Sequence, residues 1–139
     1  MSIMSNGCKT LVISCIDFRL HDALHQRAND KLGPKCYDLI HVAGGGRSFL
    51  DEDATQYMLR QVGLSVKLHG TQGVVLVNHE DCGTYGGKAS FTDDHAERQR
   101  HHADLRQAAN LIKEQHPDLK ITLAFQLLDG TVLMVDMVD

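Results

Sequence analysis

Residues 73–78, Gly-Val-Val-Leu-Val-Asn, are the most constraining stretch of this sequence, because a run with no polar face offers nothing to water. Such a segment reads as a strand buried on both faces, the position of a central strand in a parallel sheet. Parallel strands are joined by crossovers, so strands and helices should alternate on either side of it.

The flanking segments have that pattern. Residues 9–15 (KTLVISC) read as a first strand, and residues 36–42 (CYDLIHV) as a second that runs into Ala43-Gly44-Gly45-Gly46. Between them, residues 21–31 read as a short helix closed by Gly33-Pro34. Residues 51–69 place Ala54, Tyr57, Met58, Val62, Val66 and Leu68 at helical spacing, with acids in the first turn and Gly70 beyond the end. Asp93 or Asp94 can cap a long helix to His116, where Pro117 stops it; Ala103, Ala109, Leu111 and Ile112 supply apolar positions in its second half. Residues 120–127 and 131–138 read as strands joined by a tight turn at Asp129-Gly130. The expected fold is therefore α/β: one small, mostly parallel sheet of order 2-1-3-4-5, flanked by helices and ending in an antiparallel hairpin, as a single domain over residues 1–139.

Charge and hydropathy narrow the function. A net charge of −4, with 14 Lys+Arg against 18 Asp+Glu and no dense basic block, leaves no footprint for nucleic acid. The apolar runs are too short to span a membrane, and the opening MSIMSNGCK has no hydrophobic signal core, so no membrane partner and a cytoplasmic location are expected.

In open parallel sheets ligands bind where the strands end. Cys15 closes the first strand, and His79 and Cys82 lie just beyond the third. If those strands are neighbours, one imidazole and two thiolates converge, a donor set that suits zinc and leaves its fourth position for water or substrate. Asp17 and Arg19 follow Cys15 at intervals of two and share a side if the chain stays extended. The guanidinium would keep the carboxylate ionised, and the carboxylate would accept a hydrogen bond from water on the metal.

Other features read more plainly. Cys8 and Cys36 are taken as ordinary buried apolar residues, with Cys36 at the opposite end of the sheet. Residues 44–46 lack the lysine and serine of a phosphate loop. Residues 82–88 can be compared with a cysteine-phosphatase loop, but Lys88 stands where a bidentate arginine is needed, and His79 is left without a role. His95, His101 and His102 are expected on a solvated helix face.

Cys15-Ile16-Asp17-Phe18-Arg19, followed after a βα unit by His79-Glu80-Asp81-Cys82-Gly83, resembles the paired Cys-x-Asp-x-Arg and His-x-x-Cys-Gly motifs of the β-class carbonic anhydrases. The likeness spans residues 9–87. It implies zinc held by Cys15, His79 and Cys82, a catalytic Asp17–Arg19 dyad, and Asp17 as fourth ligand in a closed state. It also implies a pocket for carbon dioxide beside Phe18, Gly44, Gly45 and Gly83. The implied reaction is attack of zinc-bound hydroxide on carbon dioxide to give bicarbonate. Two thiolates on the metal should make activity rise with pH. Three positions depart from the pattern: His41 stands where an arginine is common, Phe18 where a small residue is common, and the usual N-terminal helical arm is not expected. Two alternatives keep the metal: hydrolysis of carbonyl sulfide or carbon disulfide, and a non-catalytic zinc protein. A single small sheet leaves apolar surface uncovered, so a homodimer is expected.

Overall fold

The computed structural model describes residues 8–139; the expectations about a signal core and an N-terminal arm lie partly outside them. Five strands form one sheet: β1 (Thr10–Ser14), β2 (Tyr37–His41), β3 (Gly73–His79), β4 (Lys120–Gln126) and β5 (Val132–Val138). Their order is β2-β1-β3-β4-β5, as the sequence led us to expect. The first three pairings are parallel, and β5 returns antiparallel on β4 with a register irregularity between Leu123 and Ala124. In the returning loop Gly130 takes a positive φ of 94°, and Asp129 Oδ1 accepts the Thr131 N–H. That is the turn chemistry the Asp-Gly pair signals.

Alternation along the central strands feeds two cores. Leu11, Ile13, Val74, Leu76, Ile121 and Leu123 face α2 (Thr55–His69) and α3 (Asp94–Gln115), packing on Met58, Val62, Leu105, Ala108 and Ile112. Val12, Val77 and Ala124 face the other way, onto Leu24 of α1 (His21–Leu32). One helix covers that second face and two cover the first. Among the described residues no helix is long and apolar enough to cross a membrane.

Two local expectations are corrected. The helix expected from residue 51 begins at Thr55, because residues 45–50 form a 3-10 turn that carries Phe49, with no exposed surface, into the core. Asp51, Glu52 and Asp53 thus lie in the connecting turn, where Asp51 O accepts Ala54 N–H and Thr55 N–H. In α3, Asp93 is the cap, accepting Ala96 N–H at 2.7 Å. His101 is 1% exposed instead of solvated, since the buried face of α3 runs through Glu97, His101, Asp104, Leu105, Ala108 and Ile112. His95 is exposed as expected, and Ala103 faces solvent.

The glycine turn after β2 is where backbones approach most closely. Gly45 has φ +57°, and a Cβ there would lie 2.5 Å from Val77 O. Gly83, in contrast, has nothing within 4 Å of an added Cβ. Gly45→Ala should therefore cost about 2 kcal/mol or more in chemical denaturation, through left-handed strain and the clash. Gly83→Ala should stay within about 0.5 kcal/mol of the parent. Equal stability of the two variants would refute the assigned packing.

Candidate metal centre

β1 and β3 pair in parallel up to Ile13 and Leu76, so their carboxyl ends open side by side. Cys15 follows the last residue of β1 by one, and His79 is the last residue of β3. Cys82 is carried back toward them by a turn in which Asp81 adopts a left-handed φ of 57°. The three side chains are 6%, 2% and 1% exposed, and each offers a donor atom within 4.8 Å of the other two.

His79 Nδ1–H donates to the Glu80 carbonyl at 2.7 Å, which fixes the tautomer and leaves a lone pair on Nε2. That Nε2 is buried and has no hydrogen-bond partner. A lone pair buried among two cysteine sulfurs is the arrangement a tetrahedral zinc ligand set requires, and the side chains present fit that metal. The two thiols share their protonation unequally. A hydrogen bond from Cys15 and another from Thr84 pull Cys82 down to about 6 against its burial, while the Cys82 sulfur and burial push Cys15 up to about 11.

Asp17 and Arg19 do meet, but not along an extended chain. The backbone turns into a 3-10 segment at Phe18–Leu20, capped by Asp17, whose Oδ1 accepts Arg19 N–H at 3.0 Å. The arginine side chain folds back so that Nε and Nη2 donate to Asp17 at 3.0 and 2.7 Å. Its remaining donors reach Asp81, at the carboxylate and the carbonyl, both 3.1 Å. Hydrogen bonding to Arg19 holds the Asp17 carboxyl down at about 2, so it is ionised throughout the neutral range. Asp17 Oδ2 stands 3.8 Å from His79 Nε2.

The cleft over these groups is lined by Ile16, Asp17, Phe18, Arg19, Ala43, Cys82, Gly83 and Thr84, among others. Of the residues expected beside a substrate, Phe18 and Gly83 line this cleft together with Ala43, and Gly44 and Gly45 do not. Those glycines are turned into the packing against Thr84, Val77 and Asn78. Phe18 lies at the mouth with 83% of its surface exposed, so its ring adds no bulk beside Cys15, His79 and Cys82. Cys36 is exposed in the turn before β2 and takes no part; the buried apolar reading of it is corrected, because it ends an exposed turn over residues 34–36 that leads into a strand only half-buried itself.

His41, where an arginine was anticipated, belongs to a histidine trio. Its Nδ1–H donates to the Cys15 carbonyl at 3.0 Å, which leaves Nε2 to accept from His25 Nε2–H at 2.9 Å. The His21 ring packs on it at 4.3 Å. Burial lowers the pKa of His41, which keeps this neutral arrangement.

A polar network behind the cleft was not anticipated. Asn78 Oδ1 accepts Gly46 N–H at 2.8 Å, and its Nδ2 donates to His101 and to the Tyr85 hydroxyl. Tyr85 in turn donates to Asp104 at 2.7 Å, and buried Glu97 accepts Asp81 N–H at 2.8 Å. Burial lowers His101 to about 4, so its ring stays neutral and accepts. One signal was available: Asn78 is the polar end of an apolar strand, and Glu97, His101 and Asp104 share the helical period of the apolar stripe that continues through Leu105 and Ala108.

Comparison with known proteins agrees with this geometry. The family described as "Putative carbonic anhydrase" matches residues 5–136. A protein of Rickettsia conorii, itself uncharacterized, is 28% identical over 133 residues, covering 91% of this chain and 72% of that one. Carbonic anhydrase from Streptococcus mutans shares the fold at a TM-score of 0.63 and 22% identity, covering 98% of this chain and 87% of its own. β-Carbonic anhydrase isoform I of Trichomonas vaginalis does so at 0.64 and 15%, covering 97% and 86%. With the family model matching nearly the whole chain, this chain belongs to the family described as putative carbonic anhydrase, and it shares its fold with solved β-class enzymes.

Proposed function

We propose that the protein catalyses the reversible hydration of carbon dioxide to bicarbonate, with zinc held by Cys15, His79 and Cys82. The observation that carries this reading is the buried, unpartnered His79 Nε2 beside two cysteine sulfurs, with an ionised carboxylate at 3.8 Å. When bound, zinc supplies the Lewis acidity that makes water nucleophilic near neutral pH. The two cysteines, as thiolates, balance its charge.

The remaining work falls to the chain's own groups. Asp17, ionised and carrying no proton, can only accept, so it orients an attacking water by taking its hydrogen bond. Arg19 clamps that carboxylate against Asp81 and thereby opposes its swing into the donor set. This favours an open, catalytic site over the closed, non-catalytic reading. Ile16, Phe18 and Ala43 give the cleft an apolar wall suited to a small nonpolar gas.

The exposed apolar side chains at the mouth, Ile16 at 57% and Phe18 at 83%, and the thinly covered groove of Leu24, Val75, Ala124, Val132 and Met134 favour burial by a second copy. Light scattering at micromolar concentration should give a dimer mass; a monomer would refute the assembly.

Metal analysis checks the ligand set. Cys15→Ser and Cys82→Ser should each lower zinc content by about one equivalent per chain, and Cys36→Ser should leave it unchanged. Full zinc in either of the first two variants would sink the assignment.

Catalysis is tested at Asp17. Asp17→Asn should keep its zinc and lose on the order of 100-fold in carbon dioxide hydration. Arg19→Ala should fall similarly, and the double variant little further, because the pair acts as one unit. A rate for Asp17→Asn within about twofold of the parent, with zinc retained, would show the dyad to be uninvolved. Parallel assays with carbonyl sulfide and carbon disulfide distinguish the substrate, and turnover of either sulfur gas without hydration would overturn the proposal.

A further inference from the structure

The opposite, amino end of the sheet gathers a second set of metal-ligating side chains. Cys8 stands two residues before β1, Asp38 lies on β2 opposite Leu11, and His69 ends α2. Each offers a donor atom within 4.8 Å of the other two. Cys8 N–H donates to the His69 carbonyl at 3.1 Å, so the backbone itself holds the thiol and the imidazole together. Nδ1 of His69 lies 2.9 and 2.7 Å from the two Asp38 oxygens.

Two hydroxyls brace the set. Ser65 Oγ–H donates to Asp38 Oδ2 at 2.7 Å, and Thr71 Oγ1 lies 2.5 Å from Ser65 Oγ and 3.7 Å from Cys8 Sγ. Outer hydrogen bonds of this kind orient ligands and tune their basicity. Cys8 is buried, whereas the Asp38 and His69 side chains are 28% and 36% exposed, which gives a cation a route from solvent.

We propose that Cys8, Asp38 and His69 form a second metal site, for zinc. One thiolate and one carboxylate match the charge of a divalent cation. The mixed sulfur, nitrogen and oxygen set suits zinc, whereas calcium and magnesium take oxygen ligands and Cu(I) prefers soft sulfur. Binding displaces the Cys8 thiol proton to solvent. Seven residues of nearly extended chain, about 23 Å, separate Cys8 from Cys15, so this ion takes no part in the chemistry of the first centre. Its effect is structural: it ties the entry to β1, the start of β2 and the end of α2 to one another.

Zinc-saturated parent protein, freed of loosely held ions on a desalting column, is expected to contain about two zinc ions per chain. Cys8→Ser and His69→Gln should each contain one fewer, and the Cys15→Ser/Cys82→Ser variant should keep a site that Cys8→Ser then removes. Cobalt in that double variant should show a thiolate charge-transfer absorption that disappears on Cys8→Ser. Alkylation of the parent protein, read by peptide mass spectrometry, tests the site without any substitution: zinc should slow labelling of Cys8 severalfold. Equal labelling of Cys8 with and without zinc overturns the site, as does a second zinc that survives both Cys8→Ser and His69→Gln. Failure of the first centre would appear instead on the Cys15 and Cys82 peptides, so the two outcomes are distinguishable.

Discussion

Parallel pairing of β1 with β3 is the constraint on which the rest depends. It brings Cys15 and His79, more than sixty residues apart in sequence, to adjacent strand ends. Parallel strands are stable only when both faces are covered. The two-helix layer over Leu11, Ile13, Val74 and Leu76 therefore does more than fill a core: it holds Cys15 and His79 at a fixed separation. A donor set carried on buried strands is stiffer than one carried on loops, and a metal site needs that stiffness.

The third member of the cluster, Cys82, lies on a loop, and the structure compensates by tying that loop from several sides. Asp81 is held by Arg19 in front, by Glu97 behind and by the Lys88 N–H. The Cys82 carbonyl accepts from Tyr85 and Gly87. Because Arg19 binds Asp17 and Asp81 at once, the same guanidinium sets the carboxylate beside the cleft and the loop that carries Cys82. Behind them, Asn78 joins the glycine turn to α3 through His101, so a polar group at the end of β3 couples three elements. Asn78 is paired at both ends of its amide, which makes the local geometry specific.

The second cluster shows how one strand can serve two ends of a sheet. Cys8 precedes β1 and Cys15 follows it, and each meets a histidine supplied by another element. Composition treats the two cysteines alike; their surroundings do not. Cys15 faces a buried lone pair and an arginine-bound carboxylate, whereas Cys8 faces a half-exposed histidine already engaged with Asp38.

Local sequence patterns were enough for the alternation of strands and helices and for the hairpin, whereas the placing of β1 beside β3 is a pairing of distant segments. Periodicity, capping Asp93, Gly70 and the Asp-Gly turn all act within a few residues, and nothing nonlocal contradicts them. The motif spacing likewise pointed to Cys15, Asp17, Arg19, His79 and Cys82, which the fold brings to one cleft. Only tertiary structure decided what depends on distant contacts. The late start of α2 follows from Phe49 burying itself, and the burial of His101 from its partner Asn78. Withdrawal of Gly44 and Gly45 from the cleft follows from the closeness of Thr84 to the first and of Val77 to the second, and the outward Phe18 from the turn that Asp17 caps. The association of Cys8 with Asp38 and His69 is of the same kind, because burial and partnership are properties of surfaces that meet only after the chain has folded.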